Sequence, residues 1–136
     1  YLDISNPRVA TVFSALLARL SRGASEKNVV LWIREKEVGS KKRYEENLKE
    51  VGHKFWGANL SIKVNAVEDS RAKDRIHARY LLSSKRAIQF DQGFIELGLN
   101  KSVPAVPVSL SRHRDLMKKY VSAENDLKVI WTLRLG

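Results

Sequence analysis

The chain has 136 residues, 43% of them hydrophobic and 29% charged, the ordinary composition of one globular domain with its own core. Twenty-five lysines and arginines against 15 acidic residues leave a net charge of +10 and a pI near 10.0, a surplus that favours nucleic acid, anionic lipid or an acidic protein as partner. With no cysteine, disulfides, thiol catalysis and cysteine-based zinc sites are excluded, and a cytoplasmic location is expected; the lack of a long apolar run excludes a membrane-spanning helix.

Residues 1–136 are expected to form a single domain, taken from a longer protein because the first residue is Tyr1. Leu2 to Ile4 read as a short strand. Asn6 can cap a helix and Pro7 fits its first turn. Val9, Val12, Phe13, Leu16, Leu17 and Leu20 then follow helical spacing until Gly23. Val29 to Ile33 is continuously apolar, the pattern of a strand covered on both faces. Lys41 to Phe55 carries Tyr44, Leu48, Val51 and Phe55 on one helical stripe. Leu60 to Ala66 alternates, so this strand is expected to be covered on one face only.

A polar link over residues 68–74 leads into an alternating segment from Arg75 to about Ser83. One or two short strands are expected between Ile88 and Leu97, and another around Val106 to Leu110. Ser111 is placed to cap a helix reaching Tyr120, with Leu116, Met117 and Tyr120 inward. Leu127 to Leu133 alternates as a final strand. The order β-α-β-α-β-β-β-β-α-β implies an α/β fold in which helices flank a mixed, mainly central β-sheet. Trp32, Trp56 and Trp131 fall in apolar patterns and read as core, not as a base-stacking platform.

The chemistry concentrates between residues 75 and 86. As a strand, Arg75-Ile-His77-Ala-Arg79 sets Arg75, His77 and Arg79 on one face and Ile76, Ala78 and Tyr80 on the other. Two guanidiniums and an imidazole on one face can bind an anion. Lys85 and Arg86 follow in a turn and extend the positive surface. Further basic groups stand at Lys41 to Arg43 and, on the last helix, at Arg112, Arg114, Lys118 and Lys119. Helical spacing pairs Arg114 with Lys118 and brings Lys119 less closely to Arg112. That helix can track a phosphate backbone, although a solvated polar face opposite Leu116 and Tyr120 explains the same residues. His53, His77 and His113 lack metal-ligand spacing, and there is neither a phosphate-binding glycine loop nor a nucleophile elbow. No metal and no cofactor are expected.

His77-Ala-Arg79-Tyr-Leu-Leu-Ser-Ser84 resembles in part the phospholipase D signature, His-x-Lys-x-x-x-x-Asp. The opening Asp3-Ile-Ser-Asn-Pro7 and the aromatic turn Phe90-Asp-Gln-Gly93-Phe94 are similar to its surroundings. The chain thus resembles a divergent phospholipase-D-like half, with His-x-Arg where His-x-Lys is expected. A comparable segment occurs in the phospholipase-D-like domain at the C-terminus of MIT-domain proteins. The specific part of the resemblance runs from Arg75 to Gly93.

The resemblance implies a phosphate site at His77 and Arg79. In active members the histidine is the nucleophile and the lysine, here Arg79, stabilises phosphate charge. Ser84 stands where the family has aspartate, and a serine cannot polarise an imidazole as a carboxylate does. Asp74, Asp91 and Glu96 are the candidate substitutes. The chain has one such motif, whereas active members need two. The expected function is therefore a basic phosphate-binding domain that binds nucleic acid non-catalytically as a module of a larger protein. Arg75, His77, Arg79, Lys85 and Arg86 would be its binding residues. The alternatives are a homodimeric phospholipase-D-like nuclease or phosphodiesterase with His77 catalytic, a module for anionic membrane lipid, and a protein-interaction domain.

Overall fold

A computed structural model describes residues 3–53, 59–68, 79–90 and 105–136. Its architecture is mixed α/β, the class the sequence implies. The described strands, however, pair as two three-stranded sheets instead of one central sheet. Their break falls between Glu68, the end of one sheet's central strand, and Arg79, the first residue of the other sheet.

Helix α1 (Pro7–Leu20) begins where the sequence places it. The Asn6 side chain accepts the Arg8 amide hydrogen bond at 3.0 Å, and Pro7 occupies the first turn. Val9, Phe13 and Leu17 form its buried stripe. Ile4, expected in a strand, lies instead in a turn closed by the Asn6 amide on the Asp3 carbonyl at 3.1 Å. The Asp3 carboxylate also accepts from the Ser5 amide, and this local bonding displaces strand pairing. Leu2 lies outside the described residues.

Strand β1 (Lys27–Arg34) runs into a single turn, α2 (Glu35–Val38), which the sequence reading did not contain. An Arg34–Glu37 ion pair at 2.9 Å spans it. Gly39 takes φ +75°, a left-handed value that costs glycine little, and turns the chain out of α2. Ser40 then caps α3 (Lys41–Gly52), accepting from the Arg43 amide at 3.3 Å. Phe55 and Trp56 lie outside the described residues.

In the first sheet, β2 (Leu60–Glu68) is central. It pairs parallel with β1 and antiparallel with β6 (Lys128–Leu135). Helices α1 and α3 cover one face. There Phe13, Leu17, Ile33, Tyr44, Leu48, Ile62, Val64 and Leu133 form the core. This order reverses two expectations about burial. Among the described residues β1 pairs with one neighbour, and while Val29, Leu31 and Ile33 join the helix-covered core, Val30 on the other face stays 44% exposed, so the continuous apolar run is not enclosed. Strand β2 lies between neighbours and is covered on both faces toward its end, where Asn65 and Val67 are 4% and 1% exposed. Asn65 is satisfied by the Thr132 hydroxyl, which donates to its Oδ1 at 3.3 Å. A bulge between Ala66 and Val67 shifts the register against β6.

Tyr44 is buried against Trp131, the ring centroids 5.9 Å apart. Burial first, and the Asp3 charge second, push the Tyr44 phenol above its ordinary value. The neutral phenol's contribution to stability is whole below about pH 10, where the unfolded chain ionises, and is lost as pH rises toward the higher folded value. The difference in urea stability between the parent and Tyr44→Phe is expected to shift by up to about 1.4 kcal/mol per pH unit above pH 10. A pH-independent difference would show that Tyr44 ionises as freely as in the unfolded chain.

Candidate functional site

Strands β3 (Arg79–Leu82) and β4 (Ala87–Phe90) form an antiparallel hairpin, and β5 (Ala105–Pro107) pairs with β4. The hairpin turn is residues 83–86. Its geometry comes from Ser83, whose Oγ accepts from the Lys85 and Arg86 amides at 3.3 and 3.1 Å. The Ser83 amide donates to the Arg86 carbonyl at 2.9 Å and closes the turn. Ser84, Lys85 and Arg86 are all exposed. The exposed turn expected for Lys85 and Arg86 is therefore present. Arg79 opens β3, half-buried and paired with Phe90. Arg75, His77, Asp74, Asp91 and Glu96 lie outside the described residues.

Helix α4 (Leu110–Leu116) starts at Ser109, not Ser111. Ser109 Oγ accepts from the Arg112 amide at 3.3 Å, and the Ser109 carbonyl accepts from the His113 amide at 2.8 Å. Both serines fit a cap by type. Ser109 takes the role because β5 ends at Pro107 and the Val108 amide is still held by the Ala87 carbonyl at 3.1 Å.

The helix widens into a π-helical turn (Met117–Val121), closed by the Ser122 amide on the Met117 carbonyl at 3.0 Å. The chain reverses through Ala123 at φ +57°. That reversal lets the Glu124 amide reach the Lys118 carbonyl at 3.0 Å and the Asn125 amide group reach the Lys119 carbonyl at 2.6 Å. The Trp32 indole donates to the Tyr120 carbonyl at 2.9 Å. Four carbonyls that a helix end would leave open are thus each satisfied.

Helix α4 and its π-turn tie the two sheets together. On one side stand the Trp32–Tyr120 hydrogen bond and the tilted ring pair of the same residues. On the other, His113, 7% exposed, donates from Nε2 to the Ser83 carbonyl at 2.8 Å. Beside it the Arg112 guanidinium donates to the Tyr80 hydroxyl at 3.4 Å. That hydrogen bond, with Asp115 as a further contributor, pushes Arg112 further above its ordinary pKa and keeps it a fixed cation.

This docking joins basic groups that are distant in sequence. Arg112 reaches the strand that Arg79 opens, and His113 holds the turn that carries Lys85 and Arg86. A groove of about 320 Å³ continues along the helix, lined by Arg112, Asp115, Leu116, Lys118, Lys119 and Glu124. Lys118 and Lys119 line the groove with Arg112, and Arg114 is not among the lining residues. Lys119 also lies over the Tyr120 ring, 5.4 Å from its centroid.

His113 and Tyr80 are the residues that the sequence reading passed over. The signal was available for His113. His113, Leu116, Met117 and Tyr120 stand at i, i+3, i+4 and i+7, so the histidine belongs to the helix's inward stripe. His113→Ala is expected to cost about 1–3 kcal/mol, because it leaves the Ser83 carbonyl without its donor and opens a gap under α4. Thermal denaturation measures this. An unchanged midpoint would mean that His113 does not fasten the helix to the hairpin.

No protein-family model, no curated protein and no solved structure matches this chain. Among the described residues, no helix is long and apolar enough to cross a membrane, and no cluster of three metal-ligating side chains occurs.

Proposed function

We propose that this chain is a basic α/β domain that binds the phosphates of nucleic acid without cleaving it, as one module of a larger protein. The observation that carries this reading is the Arg112–Tyr80 hydrogen bond. It sets the cationic helix α4 against the strand that continues the His-x-Arg segment. Lys85, Arg86 and Arg112 thereby gather around one hairpin, with Arg79 on the face of its first strand opposite Tyr80. Guanidiniums bind phosphate oxygens through paired, charge-assisted hydrogen bonds. Contacts of this kind give affinity with little sequence preference.

Resemblance to the phospholipase-D-like superfamily supports a phosphate ligand. The missing carboxylate supports binding over turnover, since Ser84 sits exposed in the hairpin turn. Replacing Arg79 and Arg112 together by alanine is expected to weaken binding of a labelled oligonucleotide by roughly 1–3 kcal/mol. The parent chain should leave labelled DNA, RNA and a simple phosphodiester intact. Robust cleavage that disappears in His77→Ala would replace this reading with that of a phosphodiesterase.

A further inference from the structure

Arg112 takes part in two arrangements at once. Its guanidinium donates to Tyr80 on β3, and it also lines the groove shared with Lys118 and Lys119. The groove therefore continues onto the Tyr80 face of the hairpin, whose exposed turn carries Lys85 and Arg86. From this we infer that the groove is a second phosphate subsite, and that the ligand is a continuous strand whose phosphates occupy hairpin and groove together. The inference rests on the phosphate-binding reading above and adds to it a second subsite, on α4 and its π-turn.

Geometry sets the minimum length. Arg112 and Lys119 are seven residues apart, about 10 Å along a helix at 1.5 Å per residue. That is longer than one phosphate group, so a ligand filling the groove presents more than one phosphate.

The groove's own charges explain why a short anion does not suffice. Its three cations face two carboxylates, Asp115 and Glu124. A lone phosphate entering it gains little net attraction. A strand already anchored at Arg112 arrives at high local concentration and fills the groove without a second bimolecular encounter. The carboxylates then act against occupancy by small anions. Leu110, 74% exposed at the start of the same helix, offers a single apolar contact and not the continuous apolar face that a lipid surface favours.

The test uses the 136-residue chain, a fluorescent twelve-nucleotide single strand read by anisotropy, and an unlabelled dinucleotide as competitor. Lys118→Gln with Lys119→Gln is expected to weaken the twelve-mer about tenfold and to change the dinucleotide's competition less than about twofold. Glu124→Gln should tighten the twelve-mer about two- to fourfold by removing a repulsive charge. Lys118 and Glu124 are exposed and Lys119 is half-buried over Tyr120, and matching thermal midpoints will show that the variants fold.

If the lysine pair leaves twelve-mer binding unchanged while Lys85→Ala with Arg86→Ala abolishes it, the groove is not a subsite and the phosphate-binding reading stands. Equal losses for twelve-mer and dinucleotide would also overturn the inference, because the two subsites would then not add. If the parent does not bind the twelve-mer at all, the reading itself falls. So it does if the chain prefers phosphatidylcholine vesicles containing phosphatidylserine to the twelve-mer.

Discussion

Leu48→Ala is expected to remove about 2–5 kcal/mol of stability, the range for emptying a fully buried leucine site. Leu48 is 0% exposed at the centre of α3 and belongs to the core between the two helices and the first sheet. Its neighbours are long apolar side chains from α1, β2 and β6, held by backbone elements that cannot collapse fully into the gap. A domain of this size has about 5–15 kcal/mol in total, so one such substitution brings it close to unfolding at ordinary temperatures. Urea denaturation should show a lower midpoint with an unchanged slope. Leu110→Ala serves as the control, because a side chain 74% exposed should change stability by no more than about 0.5 kcal/mol. If the two variants lose the same amount, the core is not where the structure places it.

The affinity for nucleic acid is expected to fall about a thousandfold between 50 and 200 mM salt. Each cation that replaces a counterion on duplex DNA contributes about −0.9 to the slope of log K against log salt. Arg79, Lys85, Arg86, Arg112, Lys118 and Lys119 together give a slope near −5, and a single strand gives about −4. Arg79→Ala with Arg112→Ala should flatten that slope by about 2. Titrations at four salt concentrations measure it. A slope near zero would assign the net charge of +10 to solubility alone and move the ligand site away from these residues.

Both long helices were legible in the sequence because their signals are local. Asn6, Pro7 and the Val9–Phe13–Leu17 stripe, like Ser40 and the Tyr44–Leu48 stripe, settle start and face within a few residues. Strand burial was not, because it depends on which strand lies in the middle. A continuous apolar run implied that β1 was enclosed and an alternating run implied that β2 was half open. Pairing of β2 with both β1 and β6 reverses that, and no periodicity within either strand carries the information.

The candidate site was legible in part. Lys85 and Arg86 were readable as a turn, since Ser-Ser-Lys-Arg follows a strand and supplies its own side-chain acceptor. That Arg112 would meet Tyr80 was not readable. The two are 32 positions apart, and their contact depends on how α4 docks on the hairpin. The short helix α2 was hidden for another reason. One turn of Glu-Lys-Glu-Val has no periodicity to detect and is held by an ion pair from Arg34, the residue before it, to Glu37.

The Trp32 indole gives the chain an optical reporter of its own. Its N–H is bonded to the carbonyl of Tyr120, the residue after Lys119, which lines the groove. An indole's emission depends on its polar contacts, so a displacement of the π-turn that lengthens this bond changes the colour and yield of its fluorescence. Trp131, by contrast, lies on the far face of the sheet against Tyr44, with its N–H buried and without a hydrogen-bond partner among the described residues. Of the two described tryptophans, one thus follows the cationic helix while the other follows the core, and with Trp56 replaced by phenylalanine ligand docking and unfolding leave different spectral traces in the same unlabelled molecule.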